Sequence, residues 1–254
     1  MLSSLEAIPL SKEKLGEIDL LVEFLTPEGK LWCVAKGGQK SKRRFLNALE
    51  DLNILKIYTR KPKKGELPIL EKAEILFIPE KPRYDYESYI FSCYITEVIS
   101  KVSYPELRAE HFEITKKFIK LLENKSFSLI LKPMFELKLL TSLGWKPELE
   151  RCVRCGYPPR KIFFLSIKDG GAVCYRCKGE RDEFLEKGVI DILKFLIKMP
   201  LRAREMERVI KETLNSQKIF SKVFKITEDF LKFYIDSEIS SLKFFNGVGN
   251  GKIS

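Results

Sequence analysis

Histidine is nearly missing from this chain: His111 is the single one in 254 residues. Proton transfer near neutral pH most often recruits imidazole, so this scarcity rules out a histidine-rich metal centre and argues against a Ser-His-Asp triad, while carboxylate or lysine chemistry stays open. His111 lies in the charged, helix-like stretch 108–123, away from any nucleophile motif, and reads as a packing or surface residue. Phosphate-cradling GxGxxG and GxxxxGK[ST] loops are absent, so ATP hydrolysis has no support. These absences together predict a protein that is not an enzyme. No run of about 18 apolar residues occurs, which excludes a membrane helix. The first 14 residues lack the basic-then-apolar layout of a signal peptide, which predicts a cytoplasmic location. Repeats and low-complexity tracts are also missing.

Charge and aromatic residues are abundant. The chain carries 46 Lys and Arg against 35 Asp and Glu, a net charge of +11, with 18 Phe and 9 Tyr to build a core. Such a balance favours a polyanionic partner. The excess is local, because residues 30–64 hold 11 cations against Glu50 and Asp51. Its densest part, Lys36-Gly37-Gly38-Gln39-Lys40-Ser41-Lys42-Arg43-Arg44, reads as a glycine-containing loop. Two glycines would let backbone approach a phosphate, and Lys36, Lys40, Lys42, Arg43 and Arg44 would neutralise the strand. The competing reading is a solvated, solubilising face. Trp32, Phe45 and Tyr58 lie near this patch, either to stack bases or to fill the core.

Four of the six cysteines fall in two pairs, Cys152/Cys155 and Cys174/Cys177, with 18 residues between them. That spacing fits a structural Zn2+ site, because each CxxC turn grips one edge of a tetrahedral ion. A disulfide pair and an iron–sulfur cluster are the alternatives. Residues 162–167, a turn at 169–171 and residues 172–173 predict a hairpin carrying the site. Four sulfur ligands leave no position open for water, so the metal would hold the fold and not catalyse. The module is also basic (Arg151, Arg154, Arg160, Lys161, Lys168, Arg176, Lys178 and Arg181), a second candidate contact surface. Cys33 and Cys93 read as buried, inert thiols.

The pattern predicts an α+β multidomain chain. Strands at 6–11, 18–25, 30–35, 52–58 and 73–78 fit a five-stranded OB-fold barrel over 1–80, with Pro9 at an edge or bulge. A helical domain follows over 81–148, interrupted by the four-cysteine module at 149–182 and resumed over 183–246, with a flexible glycine-rich tail at 247–254. Phe91, Ile95, Ile99 and Val102 mark one helix face; Leu131, Phe135, Leu139 and Leu143 mark another, ended by Gly144. Helices are expected over 186–199, 202–214 and 217–236, the last apolar on two faces and deeply buried.

The residues resemble the RecO family of bacterial recombination mediators nearly end to end. The similarity is carried by Glu6-Ala7-Ile8, Leu15-Gly16-Glu17-Ile18-Asp19, Phe24-Leu25-Thr26-Pro27-Glu28-Gly29-Lys30, Val34-Ala35-Lys36-Gly37 and Gly65-Glu66-Leu67-Pro68. Its most specific stretch is Leu143-Gly144-Trp145-Lys146-Pro147-Glu148-Leu149-Glu150-Arg151-Cys152-Val153-Arg154-Cys155-Gly156, and Ile239 to Phe245 resembles the family's C-terminal close. Pro9 and Gln39 depart from it, Gln39 standing where relatives tend to carry a cation. The resemblance implies binding of single- and double-stranded DNA, strand annealing, and partnership with RecR. It also implies contact with the C-terminal tail of single-stranded DNA-binding protein on the helical domain, help in RecA loading, and a nucleoid-associated location. It carries over Lys36 and Lys40 as loop contacts and the four cysteines as zinc ligands; Lys42, Arg43 and Arg44 come from charge density. Two other classes stay open: a nucleic-acid-processing enzyme pairing a barrel with a zinc ribbon, and a protein-interaction scaffold.

Overall fold

Alternation of inward apolar and outward polar residues drives the first half of the chain into strands. The computed structural model describes residues 2–41, 43–61, 65–102, 107–123, 130–158, 163–201 and 217–248. In chain order come β1 (Leu2–Leu15), β2 (Asp19–Thr26), β3 (Gly29–Ala35), β4 (Ile54–Arg60), β5 (Ile69–Phe77), α1 (Tyr86–Lys101), α2 (Ala109–Leu121) and α3 (Leu131–Ser142). Then follow β6 (Phe163–Ser166), β7 (Gly171–Cys174), β8 (Glu183–Leu185), α4 (Lys187–Lys198), α5 (Gln217–Ile235) and α6 (Leu242–Val248). The expected helix over 202–214 lies outside the described residues, as does most of the tail. Two compact units result: Met1–Lys125 with Ile239–Ser254, and Ser126–Glu238.

In the first unit the strands close a barrel in the order β1-β2-β3-β5-β4, the OB-fold order. Ala7, Val22, Phe24, Cys33, Leu55, Ile57 and Leu70 fill it. Each large apolar side chain removed from water contributes about 1.5–3 kcal/mol. β1 is longer than the apolar run suggests, because its polar ends are held by backbone pairing: Leu2–Ala7 with β4, and Ile8–Leu15 with β2. A closed barrel has no free edge, and Pro9 sits where the β1–β2 register shifts, at a bulge.

Helices fasten onto this barrel through buried polar contacts. Asp85 caps α1 by accepting from the Ser88 amide at 2.9 Å. Glu23, on β2, accepts from Ser100 Oγ of α1 at 2.6 Å and pairs with Lys30 Nζ at 3.6 Å. Lys30 also donates to the Ser100 carbonyl. Burial pushes the Lys30 pKa down against the opposing pull of Glu23. Lys30 is therefore an internal fastener and leaves the basic surface. His111 is buried, and its Nδ1 accepts from the Arg108 amide at 2.9 Å, so it caps α2. The Glu97 carboxylate receives the Ser240 and Ser241 amides at 2.7 and 2.8 Å, fixing the start of α6.

In the second unit α3 ends as its sequence predicts. Gly144 takes φ +83°, with its amide on the Thr141 carbonyl (3.2 Å) and the Trp145 amide on Leu140 (2.8 Å). The expectation for α5 is corrected. Val223, Ile226, Phe230 and Leu231 are buried, but Phe233 is 48% exposed, so only one stripe of this helix joins the core. The predicted hairpin β6–β7 gains a third strand, β8, paired to β6. Its three residues are too few to carry an alternating signal.

Candidate nucleic-acid interface and metal centre

The loop after β3 is pinned at its base and charged at its crest. Gly37 adopts a left-handed φ of +64°, and its amide donates to Asp19 Oδ1 at 2.7 Å. Any Cβ on Gly38 would press on Leu20 and Ala35 at 3.1–3.2 Å. Gln39 donates through its side-chain amide to the carbonyls of Asp19 (2.9 Å) and Gly16 (3.3 Å), and its backbone amide reaches Ile18. The two glycines thus seat the loop on the β1–β2 turn. They do not form an anion cradle, since the Gly37 amide is taken and a carboxylate occupies that spot. Gln39 is part of the same anchor.

Lys36, Lys40, Arg43 and Arg44 are all exposed on this one loop, and none forms an ion pair among the described residues. Lys42 lies outside the described residues. Arg44 is partly engaged: it donates to the Lys36 carbonyl at 2.5 Å, and its guanidinium lies 5.0 Å from the Phe45 ring centroid. The wider basic segment thins out in three dimensions. Lys30 is internal, Arg60 is bonded to Glu71 at 2.7 Å, and Lys56 lies over the Tyr58 ring. Of the three aromatics, Phe45 is 5% exposed and belongs to the core. Tyr58 is half-buried between Lys56 and Lys72, its hydroxyl on Glu74, and Trp32 is half-buried on β3.

The four paired cysteines converge in the second unit. Their Sγ atoms all lie within 4.8 Å of one another, and Cys155 and Cys174 are 3.8 Å apart. An ion bound tetrahedrally by sulfur at about 2.3 Å needs sulfurs about 3.8 Å apart. No disulfide joins the six cysteines, and the 3.8 Å between the Cys155 and Cys174 sulfurs is well beyond the S–S bond of about 2.05 Å. Each pair closes a tight turn, with the Gly156 amide on the Cys152 carbonyl (2.8 Å) and the Cys177 amide on Cys174 (3.0 Å). Burial opposes ionisation of Cys152, but amides from Cys174, Arg154 and Cys155 outweigh it and bring the thiol down to about 6. Cys177 is pushed up to about 12 by its sulfur neighbours, Cys174 first. Four sulfurs within 4.8 Å of one another repel as thiolates, and a bound cation would favour all four. By contrast Cys33 is pushed up to about 12 by burial alone, and Cys93 is half-buried, short of the full burial expected.

Arg154 locks the two cysteine turns together. Its guanidinium holds Asp169 (2.6 Å), both oxygens of Asp182 (2.6 and 3.1 Å) and the Cys177 carbonyl (2.5 Å). In the sequence Arg154 is one of eight cations of the module; in the structure it is a latch. Only the acidic residues at 169 and 182 hinted at this, and nothing in their spacing marks them as its partners. Arg160 and Lys161 lie outside the described residues. Arg151, Lys168, Arg176, Lys178 and Arg181 are exposed.

Comparisons with known proteins agree along the chain. The family model described as recombination protein O N terminal matches residues 1–78, and recombination protein O C terminal matches 83–243. A DNA repair protein RecO from Thermoanaerobacter sp. (strain X514) is 28% identical over 253 residues, covering 96% of this chain and 97% of the relative. That of Koribacter versatilis (strain Ellin345) is 32% identical over 174 residues, 67% of this chain and 70% of the relative. That of Syntrophus aciditrophicus (strain SB) is 26% identical over 251 residues, 96% and 95% respectively.

Proposed function

This chain belongs to the RecO family, whose members act in DNA repair and recombination, and from that premise we propose that it is a non-catalytic mediator that grips the sugar–phosphate backbone of single- and double-stranded DNA. The contacts are Lys36, Lys40, Arg43 and Arg44, together with Lys42. The observation carrying this reading is the set of exposed cations, unpaired among the described residues, on a loop whose base is pinned by Asp19 and Gln39. An anchored loop loses little conformational freedom on binding, so more of each phosphate contact is realised as affinity. Two complementary strands repel through their phosphates. A cationic surface that releases counterions from both lowers that barrier, which is the physical basis proposed for annealing. In this scheme RecR and the acidic tail of single-stranded DNA-binding protein direct the chain to coated DNA, the tail docking on the helical region, and RecA is loaded afterwards. The cysteine cluster holds Zn2+, which supplies structural cross-linking of two turns and no open coordination position.

The test is the salt dependence of oligonucleotide binding. Five neutralised phosphates give a slope of log K against log salt near about −3.5 for single strands. Charge removal on the loop weakens all sequences alike, since phosphate contacts carry no base code. A slope near zero, or binding unaffected by loop charge, sinks the proposal.

A further inference from the structure

The zinc ribbon has an outer face that the loop chemistry does not use. Phe164 on β6 stands directly across from Phe184 on β8, their rings edge to face at 6.0 Å. Lys178 lies between Phe164 and Tyr175, its Nζ 5.0 and 5.1 Å from the two ring centroids. Core aromatics are covered, yet Tyr175 is 63% and Phe184 48% exposed. The charge around them is positive. Arg176, Lys178 and Arg181 are exposed and form no ion pair among the described residues. Of the nearby acids, Asp182 is held by Arg154, and Glu183 faces Lys222 at 3.6 Å; Glu180 is left exposed.

Exposed rings interleaved with free cations are the chemistry that recognises unpaired nucleotides: bases stack on ring faces and phosphates meet the ammonium and guanidinium groups. A duplex hides its base faces in its own stack and offers only phosphates. We infer that the face formed by Tyr175, Phe184 and Lys178 is a second contact site, selective for single-stranded over double-stranded nucleic acid through base stacking. This inference rests on the proposal that the chain binds DNA, and it assigns the two modules different work: the barrel loop reads charge, and the ribbon reads the absence of a partner strand.

The experiment compares full-length wild type with Tyr175→Ala and Phe184→Ala, using a single-stranded oligothymidine and a duplex of equal length, with zinc content measured for every protein. Each substitution is expected to weaken single-strand binding by about 5- to 150-fold, the range for losing one base-stacking aromatic. Duplex binding stays unchanged, and Tyr175→Phe and Phe184→Tyr restore the single-strand affinity. Since Tyr175 lies between two metal ligands, a wild-type readout accompanies these: an oligonucleotide carrying 5-iodouracil should photocrosslink to Tyr175 or Phe184. Unchanged single-strand affinity, equal loss on both substrates, or crosslinks confined to the barrel loop overturns the inference. Failure of the wild type to bind either oligonucleotide instead overturns the DNA-binding proposal beneath it.

Discussion

The barrel loop packs five Lys and Arg into residues 36–44 and the cysteine ribbon spreads eight over residues 151–181, and their cations face different things. In the loop the fixed points are the Asp19 carboxylate, which takes the Gly37 amide, and the Gln39 side chain, so Lys36, Lys40 and Arg43 are exposed with their charge unspent. In the ribbon the best-placed cation, Arg154, is consumed by Asp169, Asp182 and a carbonyl. Net charge along a sequence therefore does not measure a binding surface. What decides is whether the fold brings a carboxylate within about 4 Å of each cation.

The comparison breaks most sharply on metal removal. Structural zinc contributes about 10–16 kcal/mol in small zinc-binding peptides, comparable to a typical domain's whole stability of about 5–15 kcal/mol. Chelation, or Cys152→Ser, is expected to abolish hydrogen-exchange protection across β6, β7 and β8. Protection in the barrel should persist, because it belongs to a separate compact unit with its own core. Loss of protection in both units together would show that the ribbon supports more than itself.

Next in size is the loop. Replacing Lys36, Lys40 and Arg43 together by Gln removes three phosphate contacts, and the salt slope should flatten by about 2 at about 0.7 per contact on single strands. The melting temperature should barely move, since none of the three holds the fold through an ion pair among the described residues. Arg154→Gln sharpens the contrast from the other side. Partners that orient a metal site typically affect affinity about 10–100-fold. Competition with a chelator should show zinc binding weakened by that order while the salt slope stays as in wild type. A flattened slope in Arg154→Gln would mean the latch reading is wrong.

How much of this was legible in the sequence follows from the range of the interactions. The barrel is legible because alternation is local: Val22 and Phe24, Cys33 and Ala35, Leu55 and Ile57 announce their inward faces two residues apart. The cysteine cluster is legible because CxxC encodes half its geometry within four residues. Lys30 reads as surface charge because its partners, Glu23 and Ser100, reach it from other elements, Ser100 being 70 residues away. The Arg154 latch spans 15 and 28 residues to its acids and has no periodic signature. Phe233 reads as core because an apolar count on a helix gives two faces without saying how many neighbours come to cover them.

The smallest effect tests whether anchor and contact can be traded at one position. Gln39→Lys adds a cation within the loop, and it gives up the side-chain bonds to Asp19 and Gly16. Each such bond contributes about 0.5–1.5 kcal/mol net when buried and less at an exposed site. The melting temperature should therefore drop by only a few degrees. One added phosphate contact should steepen the salt slope by about 0.7. At low salt the variant should bind more tightly than wild type, and the advantage should shrink as salt rises, because counterion release contributes less there. Should the slope stay unchanged while stability falls, position 39 is an anchor only, its side chain turned to the β1–β2 turn and away from the strand. Should both change as expected, position 39 serves as anchor or as contact according to its side chain.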